Sequence, residues 1–217
     1  MSADARSAML ARIRSANGHA TDLTQANAGW ERIPRPYLQS SQFTRGQVID
    51  LFEERLLDYD AHVVHCRKDA VPSAIRNILV QRELSRPLVP AGFPAEFLPA
   101  GIGFTVDSGF SAPELDGFDA AITQSAVAIA ETGTLVLAGT AGQGRRAMSL
   151  VPDVHLCLVR MEDVVATVPE AWLRLQTAAA LPLTLISGPS ATADIEMTRI
   201  KGVHGPRHLH VLLLNEG

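Results

Sequence analysis

Residues 187–196, SGPSATADIE, crowd small and hydroxyl side chains into a turn and follow them with two carboxylates. The chain continues MTRIKGVHGP, where His204 stands among Gly202, Gly205 and Pro206, and then runs into HLHVLLL. Four chemistries suit that order. Ser187, Gly188, Ser190 and Thr192 offer hydroxyl and amide donors to an anion beyond the end of a strand. His204 and Asp194 could complete a hydrolytic triad, but SGPSAT lacks the second glycine of the G-x-S-x-G elbow. His204, His208 and His210, with Asp194 or Glu196, are the one group of metal-ligating types; His208 and His210 share a strand face, yet no H-E-x-x-H spacing supports zinc. The fourth reading is structural: a helix start capped by Ser190 or Thr192, with Asp194 or Glu196 near its positive end.

A second glycine-rich turn lies in AETGTLVLAGTAGQGRRAMSLVPDVHLCLV, residues 130–159. Its glycines read G-x-x-G-x-G, which is not the dinucleotide fingerprint, and Pro152 leaves no room for a long helix after Arg145 and Arg146. Paired arginines on a flexible loop can handle an anion. They can equally decorate a solvated hairpin. Cys66 and Cys157 lie in apolar segments, HVVHC and HLCLV, and neither belongs to a CxxC, so both read as buried, inert thiols.

These residues need elements to hold them. Residues 3–16 read as a first helix and 17–43 as an extended arm or loop without apolar periodicity. TRGQVIDLFEERLLD, residues 44–58, restarts a helix that Thr44 can cap. From residue 61 short apolar strands alternate with helices: AHVVHC, then a helix opened by Pro72, then RPLVPAGF, GFTVDSGF, TLVLAG, HLCLVR, LPLTLISG and HLHVLLL as strands. DVVATVPEAWLRLQTAAA reads as a helix, and DAAITQSAVAIA stays open between strand and helix. The pattern predicts an α/β sheet covered on both faces, with an N-terminal arm over 1–43 and one domain over 44–217.

The chain has 217 residues with 47% hydrophobic content, enough for one large core. A net charge of −4 argues against sequence-independent nucleic-acid binding. No apolar run is long enough to span a bilayer, and the N-terminus carries no apolar signal core, so the expected compartment is the cytoplasm.

ETGTLVLAG (131–139), RRAMSLVPDVHLCLV (145–159) and SGPSATADIEMTRIKGVHGPRHLHVLLL (187–214) resemble the signature blocks of the LUD-domain family, in order and spacing from about residue 44 to 214. The resemblance implies a NagB/RpiA/CoA-transferase-like α/β fold and a place in a bacterial system that oxidises L-lactate to pyruvate. It implies two iron–sulfur partner proteins, one of them ferredoxin-like, and no cofactor in this chain. No catalytic residue transfers from the family. In CoA transferases a glutamate before a glycine turn forms the acyl-enzyme, and Glu131 in ETG stands in a similar-looking position; the alternative is a turn cap or an arginine partner.

The expectation is therefore a non-cluster subunit of a lactate-utilisation system. The ETGT, GQGRR and SGPSATADIE loops are expected to meet in one cleft that binds a small anion. Arg145 and Arg146 would supply charge, Ser187, Gly188, Ser190 and Thr192 donors, and Glu131, Asp194 and His204 the proton-handling groups. The alternatives are a scaffold that docks the iron–sulfur partners and a standalone enzyme of CoA-transferase or cyclo-ligase type.

Overall fold

The computed structural model describes residues 3–17, 22–178, 180–192, 200–202 and 204–215. They fall into two compact units, Met1–Tyr37 and Leu38–Gly217. The smaller unit holds α1 (Ala3–Ala16) and α2 (Leu23–Glu31). The second helix corrects the reading of 17–43 as loop. It has no apolar stripe, but the Asp22 side chain caps it by accepting from Thr24 N, and the Arg35 guanidinium beyond its end lies over the Trp30 ring and donates to Trp30 O.

The larger unit begins with α3 (Arg45–Asp58), where Thr44 and Gln47 exchange hydrogen bonds in a capping box. Strand β1 (His62–Arg67) follows, then α4 (Val71–Gln81) with proline in its first turn. Next come β2 (Pro87–Val89), β3 (Thr105–Val106), α5 (Ala112–Leu115), β4 (Ala120–Gln124), β5 (Val127–Ile129) and β6 (Thr134–Leu137). The chain continues through α6 (Arg146–Leu150), β7 (Val154–Arg160), β8 (Val164–Val165) and α7 (Val168–Arg174). It closes with β9 (Thr184–Ser187), β10 (Ala191–Thr192), β11 (Ile200–Lys201) and β12 (His208–Asn215).

Six strands form a wholly parallel central sheet in the order β1-β12-β7-β4-β2-β3. Strands buried on both faces need apolar residues at every position, and this explains the near-continuous runs of β7 and β12. On one face Leu156, Leu158, Leu212 and Leu214 pack with Ile75 and Leu79 of α4. On the other, Cys157, Val159, Val211 and Leu213 meet Phe52 and Leu56 of α3 together with Leu135 and Leu137 of a second sheet. That sheet, β8-β5-β6-β9, is mixed: β6 is antiparallel to β5 and β9, and β8 is parallel to β5.

Three local readings change. DAAITQSAVAIA becomes two strands, β4 and β5, which belong to different sheets; its buried alanines allow close packing where a helix would have stranded the β-branched residues. DVVATVPEAWLRLQTAAA splits as well, because Val164–Val165 pairs with β5 before Thr167 and Glu170 box the start of α7. The helix expected from ATADIEMTRI is absent at its described ends, where Ala191–Thr192 pairs antiparallel with Ile200–Lys201. Ser190 N donates to Pro206 O and Gly202 N donates to Ser190 O, and Ser190 is followed by strand β10 rather than by a helix start.

Candidate functional site

The carboxyl ends of β4 and β7 are not free to host a ligand. From each the chain crosses within a few residues into the second sheet, β4 into β5 and β7 into β8. The opposite rim of the central sheet includes the amino ends of β7 and β12. A cavity of about 290 Å³ lies there. It is walled by the turn after β9, by α6, by the start of β7 and by the segment that enters β12. The strand-end geometry expected for SGPSAT is thereby corrected. Its strand β9 is an antiparallel edge of the second sheet with Leu185 exposed, not a buried parallel strand.

Arg146, Ser187, Gly188, Ser190 and His204 all line this cavity. Gly188 sits at φ +83, and a Cβ on it would fall 2.5 Å from the Tyr59 Cβ at the end of α3; only glycine lets the turn press so close. Ser190 Oγ accepts from His204 N at 3.1 Å, tying the turn to the histidine loop. Ser187 Oγ shares a 2.7 Å hydrogen bond with Thr134 Oγ1, which in turn shares one of 2.6 Å with Thr132 Oγ1. The ETGT turn thus reaches the cavity wall through hydroxyls. Glu131 itself is exposed, its backbone N–H donating to Ala166 O, and it is not among the lining residues.

The two arginines part company. Arg145 is the extended residue before α6 and Arg146 the first helical one, which sends their side chains to different places. Arg145 grips Asp107 with Nε at 2.7 Å and Nη2 at 3.1 Å, and also donates to Phe110 O. Burial works to raise the Asp107 carboxyl, but the Arg145 contact and the N–H groups of Gly109 and Phe110 more than offset it, and its pKa falls below the ordinary value. Arg145 is a clamp on its loop and lies outside the cavity lining. Arg146 is exposed and lines it. Thr192 lies in β10, and Asp194 lies outside the described residues.

The sequence reading passed over His155, the second residue of β7. Its side chain is buried in the cavity wall. Nε2 shares a 2.8 Å hydrogen bond with Thr123 Oγ1, while Nδ1 has no partner. Burial pushes its pKa down to about 4, so the ring is neutral at pH 7. A signal existed: in DVHLCLV the histidine is two residues before Cys157, on the same face of an otherwise apolar strand. Thr123 Oγ1 also reaches Cys157 Sγ at 3.6 Å. Burial raises the Cys157 thiol to about 12 and raises half-buried Cys66, so both stay protonated.

His208 and His210 do share a face, but it is the face opposite His155, where the His62 and His210 rings stack at 4.7 Å. Arg82 Nη2 lies 3.0 Å from His62 Nε2. Burial, then Arg82, lowers His210 to about 3. His204 is on the cavity side instead, so the three histidines do not assemble. Among the described residues no group of three or more His, Cys, Asp or Glu is placed to hold a metal ion.

The LUD domain pattern matches residues 110–214, a span that contains every lining residue of the cavity. Lactate utilization protein C of Deinococcus radiodurans is 43% identical over 202 residues, covering 89% of this chain and 92% of that protein. The chain belongs to the LUD-domain family of lactate utilization protein C. Shouchella clausii has a lactate utilization protein C that is 36% identical over 105 residues, 46% of this LUD chain and 45% of its relative. A crystal structure of a DUF162 family protein from D. radiodurans superposes with a TM-score of 0.70 at 40% identity, covering 80% of this chain and 99% of that one. The mostly parallel α/β architecture is therefore that of a solved LUD relative. No helix among the described residues is long and apolar enough to cross a membrane.

Proposed function

We propose that this LUD protein serves a lactate-utilisation system by binding a small anion in the cavity at the amino ends of β7 and β12. The names of its relatives support the system. One observation carries the site: a single cavity gathers Arg146, Ser187, Gly188, Ser190 and His204, with no carboxylate among the described lining residues. Arg146 supplies charge, the serine hydroxyls and the turn backbone supply donors, and His204, exposed in the lining, is the proton-handling group. Arg145 holds the loop that presents Arg146. Electron transfer belongs to iron–sulfur partner proteins in the cytoplasm, and the fold is of the NagB/RpiA/CoA-transferase-like kind.

Titration of L-lactate and pyruvate by calorimetry tests this. A charged hydrogen-bond partner contributes about 1.5–3 kcal/mol, so Arg146→Ala is expected to weaken binding by about tenfold or more. Absent binding in the unsubstituted chain, or unchanged binding in the variant, defeats the site.

A second reading, docking of the partner proteins, is favoured by the apolar side chains that the smaller unit exposes: Met9, Leu10 and Ile13 on α1, and Trp30, Ile33 and Tyr37 on and after α2. Deleting residues 1–37 is expected to abolish co-purification with the iron–sulfur partners while the circular dichroism of the larger unit persists. Retained co-purification removes the docking role from this unit.

A further inference from the structure

A second cavity, of about 390 Å³, opens in the larger unit between the start of α3, β8 and the end of α7. Among the described residues it shares no lining residue with the anion cavity. Phe43, Val48 and Leu173 give it an apolar wall, with Phe43 and Leu173 exposed. Ligand sites of this size class pair such a wall with a few fixed polar groups. The fixed groups here are two arginines from different helices. Arg45, the first residue of α3, donates from Nη1 to Val164 O at 2.5 Å. Arg174, the last residue of α7, donates from Nη1 to Glu162 O at 2.9 Å. One short stretch of backbone thus fastens both guanidinium groups, and each keeps N–H donors beyond that bond.

Neither charge is fully met by the fold. Among the described residues Arg45 has no carboxylate within ion-pair distance. Arg174 lies 3.7 Å from Asp163, whose carboxylate Arg160 holds more closely at 2.7 Å. Burial, and then the charge of Arg174, lower the Arg45 pKa from its ordinary value against the pull of Asp163 and Glu162. Like charges that oppose each other in one cavity favour an anion shared by both. Glu170 is the one carboxylate in the described lining, and it is already committed. Its Oε1 accepts from Ser41 N at 3.1 Å, and its Oε2 accepts from Thr167 N at 2.8 Å and Thr167 Oγ1 at 3.1 Å. Two arginines against one glutamate leave the lining net positive.

We infer that this cavity is a second ligand site, for a monocarboxylate on an apolar stem, its carboxylate shared by Arg45 and Arg174 and its stem along Phe43, Val48 and Leu173. The site stands apart from the anion reading above and does not depend on it. The guanidinium fork matches a carboxylate in geometry, and one negative charge balances the lining. A second negative charge is opposed by Glu170 and Asp163, which disfavours a phosphate. The stem decides the rest. A two-carbon acid reaches the arginines but leaves the apolar wall in water, whereas an acyl chain buries it. The cavity equals the liquid volume of on the order of a dozen waters, which sets the stem as a short one.

The test titrates the full ¹⁵N-labelled chain with hexanoate, acetate, 1-hexanol and inorganic phosphate, read by calorimetry and by backbone amide shifts. Hexanoate is expected to bind about fivefold or more tighter than each of the other three, the scale of one exposed charged contact. It is expected to shift the amides of Ser41, Ala166 and Leu173. A smaller margin over acetate or phosphate reduces the site to a general anion contact, and a smaller margin over 1-hexanol reduces it to an apolar groove; either overturns the inference. Absence of hexanoate binding overturns it too. So do amide shifts that fall at Gly188 and Gly205 instead, because the acid then occupies the other cavity. Arg174→Gln is expected to weaken hexanoate by about fivefold and leave 1-hexanol unchanged. Leu173→Ser, at an exposed side chain, is expected to weaken both. Unchanged hexanoate binding in both variants overturns the inference, and the series on the unsubstituted chain decides the matter whether or not Arg174→Gln folds.

Discussion

Gly188→Ala is expected to destabilise the larger unit by about 2–4 kcal/mol and to abolish ligand binding in the cavity. Two costs add. The residue sits at φ +83, a left-handed conformation that costs an alanine about 1–2 kcal/mol. The new methyl would stand 2.5 Å from Tyr59 Cβ and 3.1 Å from Tyr59 Cγ, so either α3 or the turn must shift. The turn also carries Ser187 and Ser190, and its displacement moves cavity donors away from Arg146. Gly46→Ala provides the contrast: it lies within α3, a Cβ there meets nothing within 4 Å, and alanine in such a helix position stabilises by about 0.5–1 kcal/mol. Denaturant midpoints and L-lactate titrations of the two variants read both effects. A Gly188→Ala protein as stable as its parent would mean that α3 and the turn yield freely, against the packing described.

Acid is expected to remove about 3 kcal/mol of stability through His155 alone, between pH 6.5 and 4. The unfolded ring protonates near its ordinary pKa of 6.5, whereas the folded ring, desolvated by burial, resists until about 4. Within that window the unfolded chain binds a proton that the folded chain does not, so stability that is complete above pH 6.5 declines by about 1.4 kcal/mol for each unit of acidification. His210, lowered to about 3, acts in the same direction. Asp107, Asp119 and Glu170 are lowered carboxylates, each raised by burial but lowered further by hydrogen bonds; their contributions are lost only below the ordinary carboxylate range. Urea midpoints at pH 7.5, 5.5 and 4.5 follow the histidine window, and a further midpoint at pH 3 enters the carboxylate one. His155→Phe is expected to flatten the upper one in part, leaving the His210 share. Equal stability at pH 7.5 and 4.5 would contradict the burial of both rings.

The sequence carried the framework well where local chemistry decides it. The Thr44 cap, the proline opening α4 and the apolar runs of β1, β7 and β12 are all short-range signals, and the structure reproduces them. It was silent where partners are distant. Nothing beside Arg145 marks it as the partner of Asp107, 38 residues earlier, so the arginine pair read as one element when it is two. Nothing in DAAITQSAVAIA announces that β4 and β5 enter different sheets, a crossing that takes the chain away from the carboxyl end of β4. Ser187, Gly188, Ser190 and His204 could be singled out from type and spacing alone. His155 carries a weaker mark, a lone histidine two residues before Cys157 in an apolar strand, and that mark acquires meaning only when Nδ1 is found buried and unpaired.

The placement of β12 bears on how the polypeptide acquires its shape during synthesis. Residues 208–215 slot between β1 and β7, which are separated by 86 residues of intervening chain or more. Until that stretch leaves the ribosome, the nascent chain carries two unsatisfied parallel edges and an α4 without the Leu212 and Leu214 that share its cluster. Such late, long-range closure makes for slow acquisition of structure. It also puts the entry to β12, and with it the wall that Gly205 and Leu209 contribute, among the last parts to settle.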